Sequence, residues 1–172
     1  MKFASRTFIC SYTCSIMKNE PGTVNPDLLA LEHKLFGSSL QLLRLKMEND
    51  PRLSRAWNYC ELYYSQSCID LGTVSRECGM SKNSMNQLLK RITGRTYGVL
   101  MRGYRVYRSI CDATSRDCSI TELALTHGFD SSSNYSRVVR SLTGIAPRSL
   151  LRQGRDHGRQ AKTHRRWTSK DL

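Results

Sequence analysis

Residues 119–144 read Ser119-Ile-Thr-Glu-Leu-Ala-Leu-Thr-His-Gly-Phe-Asp-Ser-Ser-Ser-Asn-Tyr-Ser-Arg-Val-Val-Arg-Ser-Leu-Thr-Gly144. Ser119-Ile120-Thr121-Glu122 has the S-x-x-E form of a capping box, in which serine and glutamate side chains satisfy amides left open at a helix start. The short helix that follows reaches Gly128, and glycine permits the positive φ that swings a second helix sharply across the first. Leu123 and Val139 bury the seam between the two, Tyr135 and Val138 or Val139 point inward, and Gly144 stops the second helix. Short helix, glycine turn, longer helix, glycine stop is the helix-turn-helix plan.

About 50 residues upstream the chain repeats this plan in Asp70-Leu-Gly-Thr-Val-Ser-Arg-Glu-Cys-Gly-Met-Ser-Lys-Asn-Ser-Met-Asn-Gln-Leu-Leu-Lys-Arg-Ile-Thr-Gly94. Val74 lies five residues before Gly79 and twenty before Gly94, whereas Leu123 lies five before Gly128 and twenty-one before Gly144. Counting back from the terminal glycines, Met85 matches Tyr135, Leu89 matches Val139, Lys90 matches Arg140 and Thr93 matches Thr143. Asp70 caps the first copy as Ser119 caps the second. One copy would be a weak signal; two in a chain of net charge +13 are a strong one.

Working outward, residues 96–113 form a linking helix between the copies, starting at Thr96. Asn49-Asp50-Pro51 ends the preceding segment and opens a helix over roughly 52–66, with Leu53, Trp57, Cys60 and Tyr64 inward. Residues 27–47 carry a helical leucine pattern broken at Gly37-Ser38-Ser39, giving two short helices or one kinked one. Residues 7–17 alternate, placing Phe8, Cys10, Tyr12, Cys14 and Ile16 on one face of a strand. The expectation is an all-α, homeodomain-like fold of two helix-turn-helix subdomains joined by the linking helix, with a short N-terminal extension.

Composition excludes several classes. A chain of 172 residues, 39% hydrophobic and 24% charged, holds one domain of ordinary size or two very small ones, plus appendages, and is no large multidomain enzyme. Lysine and arginine number 27 against 14 acids, and residues 51–152 alone carry +8, which calls for a polyanionic partner. No run of 18 apolar residues could span a membrane, and the N-terminal stretch is too polar for a secretion signal, so a cytoplasmic location is expected. The seven cysteines contain no C-x-x-C pair and read as reduced thiols. There is no G-x-S-x-G, no H-E-x-x-H and no phosphate-cradling loop, the histidines are scattered, and His127 reads as a capping or surface residue. No catalytic residue, metal ligand or cofactor is expected.

The stretch 119–147, with its I-x-x-L-A-x-x-x-G-F core, the Tyr135-Ser136-Arg137 of its second helix and the G-x-x-P ending at Pro147, resembles the signature of AraC/XylS-type bacterial transcription regulators. The resemblance covers about 52–153. It implies a DNA-binding domain over 51–153, with helix-turn-helix units at about 70–94 and 119–144 flanked by an extension over 1–50 and a basic tail over 154–172. Each second helix would enter the major groove of double-stranded DNA. Position on those helices selects Lys82, Asn83, Asn86 and Gln87 in the first, and Ser132, Ser133, Asn134 and Arg137 in the second, as base-reading residues. Asn and Gln suit adenine and Arg suits guanine. Lys90, Arg91, Arg140 and Arg148 lie further along, where phosphate contact is expected. Ser75 stands where alanine is usual and Val139 where phenylalanine is usual, while Gly98 and Gly103 weaken the linking helix by about 1 kcal/mol each.

Within that family, Trp57, the pair Arg105 and Ser109, and residues 120–129 look most like activators of type III secretion genes in pathogenic bacteria. That resemblance implies RNA polymerase as a partner and a protein co-activator, such as a secretion chaperone, on residues 1–66. Many relatives carry an N-terminal effector barrel of well over a hundred residues, and about 50 residues are too few to build one. Two other readings stand beside this: an antagonist or adaptor that binds other regulators instead of DNA, and an alkylation-repair methyl acceptor, whose first zinc-ligand pair Cys10-x-x-x-Cys14 resembles but whose second Cys60 and Cys68 do not match.

Overall fold

The computed structural model describes residues 26–115 and 118–149. The helices are α1 (Pro26–Phe36), α2 (Leu40–Glu48), α3 (Pro51–Tyr63), α4 (Leu71–Glu77), α5 (Lys82–Thr93), α6 (Tyr97–Ser115), α7 (Ile120–Thr126) and α8 (Ser132–Thr143), with no strand among the described residues. The strand expected at 7–17, the Cys10/Cys14 pair and the tail over 154–172 lie outside them.

Local chemistry sets where these helices begin and end. Ser39, Asp50, Asp70, Ser81, Ser119 and Ser131 each accept a hydrogen bond from a first-turn amide of the helix they precede. Each such cap contributes roughly 0.5–2 kcal/mol. At the other end, α5 and α8 stop on Gly94 and Gly144, with φ of 73° and 79°. Turn glycines Gly79 and Gly128 take φ of 64° and 75°, so both helix-turn-helix units form as the repeat requires.

In the first unit α4 crosses α5 over Val74, Met85 and Leu89; in the second α7 crosses α8 over Leu123, Tyr135 and Val139. Val139 takes the inward place and Val138 is half-buried. The linking helix α6, about 28 Å long at 1.5 Å per residue, buries Met101, Tyr104, Val106, Tyr107 and Ile110 in the cluster that also contains both seams.

Residues 26–48 are no free extension. The segment is two helices broken at Gly37, whose φ is 76°, and Glu32 Oε2 accepts from the Leu40 N–H at 2.8 Å to fix the corner. α1 packs on α6 and α8, while α2 packs on α3 and α5, so Leu35, Phe36, Leu40, Leu43 and Met47 join the common core. Lys34 Nζ donates to the Thr143 carbonyl at the end of α8. Gly103 has a packing role beyond any weakening of α6: a Cβ there would lie 3.2 Å from Phe36 Cε1, so its absence seats the Phe36 ring.

Of the two places expected for His127, the structure gives the cap: it closes α7 as the C-cap and is buried at 1% exposure, not on the surface. Its Nε2 lies 3.2 Å from Asp112 Oδ2 and its ring stacks on Tyr64 at 5.8 Å, because the turn it belongs to is pressed against the end of α3.

Candidate nucleic-acid interface

α5 and α8 are strongly two-faced helices. Met85, Leu88 and Leu89 are buried on one, Tyr135, Val139 and Thr143 on the other, and the opposite faces are polar. The Tyr135 hydroxyl lies 3.1 Å from Ser109 Oγ, which pins α8 to the linking helix and fixes which of its faces is outward.

Lys82, Asn83 and Gln87 are exposed on α5, as are Ser133 and Arg137 on α8; Ser132 and Asn134 are half-buried. Arg137 Nη2 donates to Asn134 Oδ1 at 3.2 Å, so these two side chains act as one preorganised unit. Asn86 departs from its expected place. It is half-buried, and its Oδ1 accepts from the Tyr97 N–H at 3.1 Å, where it caps the start of α6. The open amides at the linking helix's first turn are the physical reason.

Lys90, Arg91, Arg140 and Arg148 are all exposed, and among the described residues no ion pair neutralises them or Arg137. Sequence reasoning passed over Ser84, exposed on the first turn of α5 with its hydroxyl 2.8 Å from Ser81 Oγ. The signal was there, since Ser84 follows Lys82 and Asn83 before the first inward residue.

Arg105 matters to the interface without facing it. Its Nε donates to Tyr64 O at 2.8 Å, Nη2 to Gln66 O at 2.8 Å and Nη1 to Gly128 O at 2.9 Å. One guanidinium on α6 thus ties the lead-in to the first unit to the turn of the second. A guanidinium presents several donors in a rigid planar fork, which suits separate carbonyls held at fixed positions. Beside it, Arg108 lies over the Tyr64 ring at 5.4 Å. Gly128 completes the joint, because a Cβ there would come within 2.8 Å of Ser65 O.

The thiols do not form a metal centre within the described residues, where no group of three or more His, Cys, Asp or Glu is placed to hold an ion. Burial pushes the Cys60 thiol up to about 12, so it stays protonated, while Cys68 is exposed on the loop after α3.

A helix-turn-helix domain family matches residues 74–153. The invasion protein InvF of Salmonella typhimurium is 29% identical over 89 residues, covering 52% of this chain and 41% of that protein. The HTH-type transcriptional activator RhaS of Salmonella arizonae is 24% identical over 136 residues, covering 79% of this chain and 48% of that one. The matched stretches thus span less than half the length of either relative. Among solved structures, the DNA-binding domain of the global transcriptional factor AdpA, in complex with a target DNA, is similar in fold. It aligns with a TM-score of 0.58 at 19% identity, over 63% of this chain and 96% of that one.

Proposed function

We propose that this chain, whose residues 74–153 match a helix-turn-helix domain family, is a transcription regulator of the AraC type that binds double-stranded DNA sequence-specifically and activates bacterial genes from the cytoplasm. The observation that carries this reading is the pair of capped, two-faced helices α5 and α8, both anchored to α6 and both presenting polar residues outward. In this reading α5 and α8 occupy two adjacent major-groove segments on one face of the duplex. Lys82, Asn83 and Gln87 read one segment, and Ser132, Ser133 and the Asn134–Arg137 unit read the other. Asn86 leaves the base-reading set, because its carbonyl is spent on α6. Lys90, Arg91, Arg140 and Arg148 neutralise phosphates, which supplies sequence-independent affinity that falls with salt.

The DNA-binding body in this proposal reaches upstream of Pro51 to take in α1 and α2, since their side chains complete the core of both units. RNA polymerase is the proposed target of activation. A protein co-activator, such as a secretion chaperone, would have to use what residues 26–66 leave outward, including Leu42, Leu45 and Leu62, which are exposed. No catalytic step is proposed.

Selection of bound DNA from a random pool at physiological salt tests this directly. A monomer with two reading helices should enrich sites of roughly 15–20 base pairs containing two half-sites about one helical turn apart. Enrichment of one short segment, or of nothing, would overturn the proposal.

A further inference from the structure

α8 is held from outside its own helix-turn-helix unit at both ends. Near its start the Tyr135 hydroxyl lies 3.1 Å from Ser109 Oγ of α6, and at its end the Thr143 carbonyl accepts the ammonium of Lys34 from α1. At 1.5 Å per residue these points lie about 12 Å apart along the helix. A helix fixed at one point can swing about it, whereas a helix fixed at two has a set direction. The final carbonyls of a helix lack partners within it and carry the negative end of its dipole, so an ammonium aimed at one is held by charge as well as by hydrogen bonding.

The same end of α1 touches the first unit. Gly37, at the corner after α1, lies against the Arg95 guanidinium, whose Nη2 is 3.5 Å from where a Cβ on Gly37 would stand. Arg95 follows Gly94, the stop of α5, as Ile145 follows Gly144, the stop of α8. The stretch from Lys34 to Gly37 therefore joins the equivalent ends of the two reading helices. Between those residues the Phe36 ring fills the space that Gly103 leaves on α6 and meets Tyr107 edge-on at 6.2 Å, which anchors α1 to the linking helix.

We infer that Lys34 is a positioning residue for DNA recognition: through it α1 fixes the far end of the second reading helix relative to the first unit, and so sets how strictly the protein holds its half-sites to one spacing. This role rests on the two-segment reading of DNA proposed above. Changing the spacing by one base pair moves a half-site by about 3.4 Å along the duplex and turns it by roughly 35°. α8 can follow that displacement only if one of its two fixed points lets go. Lys34 is exposed and makes its contact with the tip of its chain, so it can be replaced without opening the core.

The test uses the full chain and duplexes carrying the selected site, with the half-site spacing kept or altered by one base pair in either direction. Lys34→Met keeps the apolar stem and removes the charged donor, while Lys34→Arg keeps a charged donor. Losing one positive charge weakens binding to every duplex alike, so the readout is the ratio of affinities between spacings. The wild type is expected to prefer the selected spacing by about tenfold or more, Lys34→Met by about threefold or less, and Lys34→Arg to return to within about twofold of the wild-type ratio. On the free protein, hydrogen exchange at the Leu142, Thr143 and Gly144 amides should quicken about tenfold in Lys34→Met, with the amides of α7 unchanged. A Lys34→Met variant that keeps the wild-type ratio, or whose exchange at the end of α8 is unchanged, overturns the inference and leaves DNA reading by α5 and α8 standing. So does a Lys34→Arg variant as loose as Lys34→Met, or a wild type that binds its site yet accepts all three spacings equally. A wild type that selects no site overturns the proposed function, and the role of Lys34 falls with it.

Discussion

Gly79 and Gly128 occupy matching turns with positive φ, yet their surroundings differ. A Cβ on Gly79 meets nothing within 4 Å, whereas one on Gly128 would meet Ser65 O at 2.8 Å and Tyr64 O at 3.1 Å. Gly79→Ala should therefore cost only the left-handed backbone penalty, about 1–2 kcal/mol. Gly128→Ala should cost clearly more, because backbone carbonyls at the end of α3 cannot step aside. Urea denaturation of the two variants checks this, and equal losses would contradict the packing of that turn on α3. On the reading face, Arg137→Ala should relax preference at one or two base pairs of a single half-site at a cost of about 1–3 kcal/mol. Arg140→Ala should weaken all sequences alike and flatten the salt dependence. Binding titrations on the selected site and on random DNA separate the two effects, and an equal loss on both for Arg137→Ala would remove Arg137 from the base-reading set.

At the scale of elements, α3 begins on a charged cap. The Arg52 guanidinium, 2.9 Å from the Asp50 carboxylate, and secondarily the Arg52 N–H, which donates to it at 2.9 Å, hold the Asp50 carboxyl down at about 2. A carboxyl whose folded pKa lies below its unfolded value of 3.8 stabilises the fold above about pH 4, and that contribution is lost as pH falls towards 2. Asn also caps helices well, so Asp50→Asn isolates the charge. The variant should unfold more easily than the wild type at pH 6, with the difference vanishing near pH 2; a constant difference across that range would show that charge is not the cause. The linking helix has its own device in Arg105. Arg105→Lys keeps the charge but replaces a rigid fork with a point donor that cannot hold three separate carbonyls. Its Tm should drop, and sites with half-site spacing altered by one base pair should bind nearly as well as the selected one. A variant that kept strict spacing would show that other contacts set the geometry of the two units.

At the scale of the whole molecule, the N-terminal helices hold both units to one core, α1 reaching α6 and α8 and α2 reaching α3 and α5. Removing residues 1–50 should therefore do more than delete an appendage: it uncovers the seats of Leu35, Phe36, Leu40, Leu43 and Met47, and the truncated chain should lose cooperative thermal unfolding. Removing only 1–25 leaves every one of these contacts in place, so that truncated chain should keep cooperative unfolding. Calorimetry on the two truncations decides it, and a stable chain lacking 1–50 would show that α1 and α2 are dispensable. The two helix-turn-helix units, their caps at Asp70 and Ser119 and their glycine stops were legible in the sequence because each depends on residues within a few positions of one another. The exposed polar face of α5 and α8 was legible too, from helical period alone. What only the tertiary structure decided are the long-range matches: Asn86 turned to cap α6, His127 sealed against Tyr64, Gly103 hollowed for Phe36, and Arg105 bridging carbonyls from two units. None of these has a periodic signature, because each partner lies on a different helix, and which helices meet is set by how all the apolar faces can be buried at once.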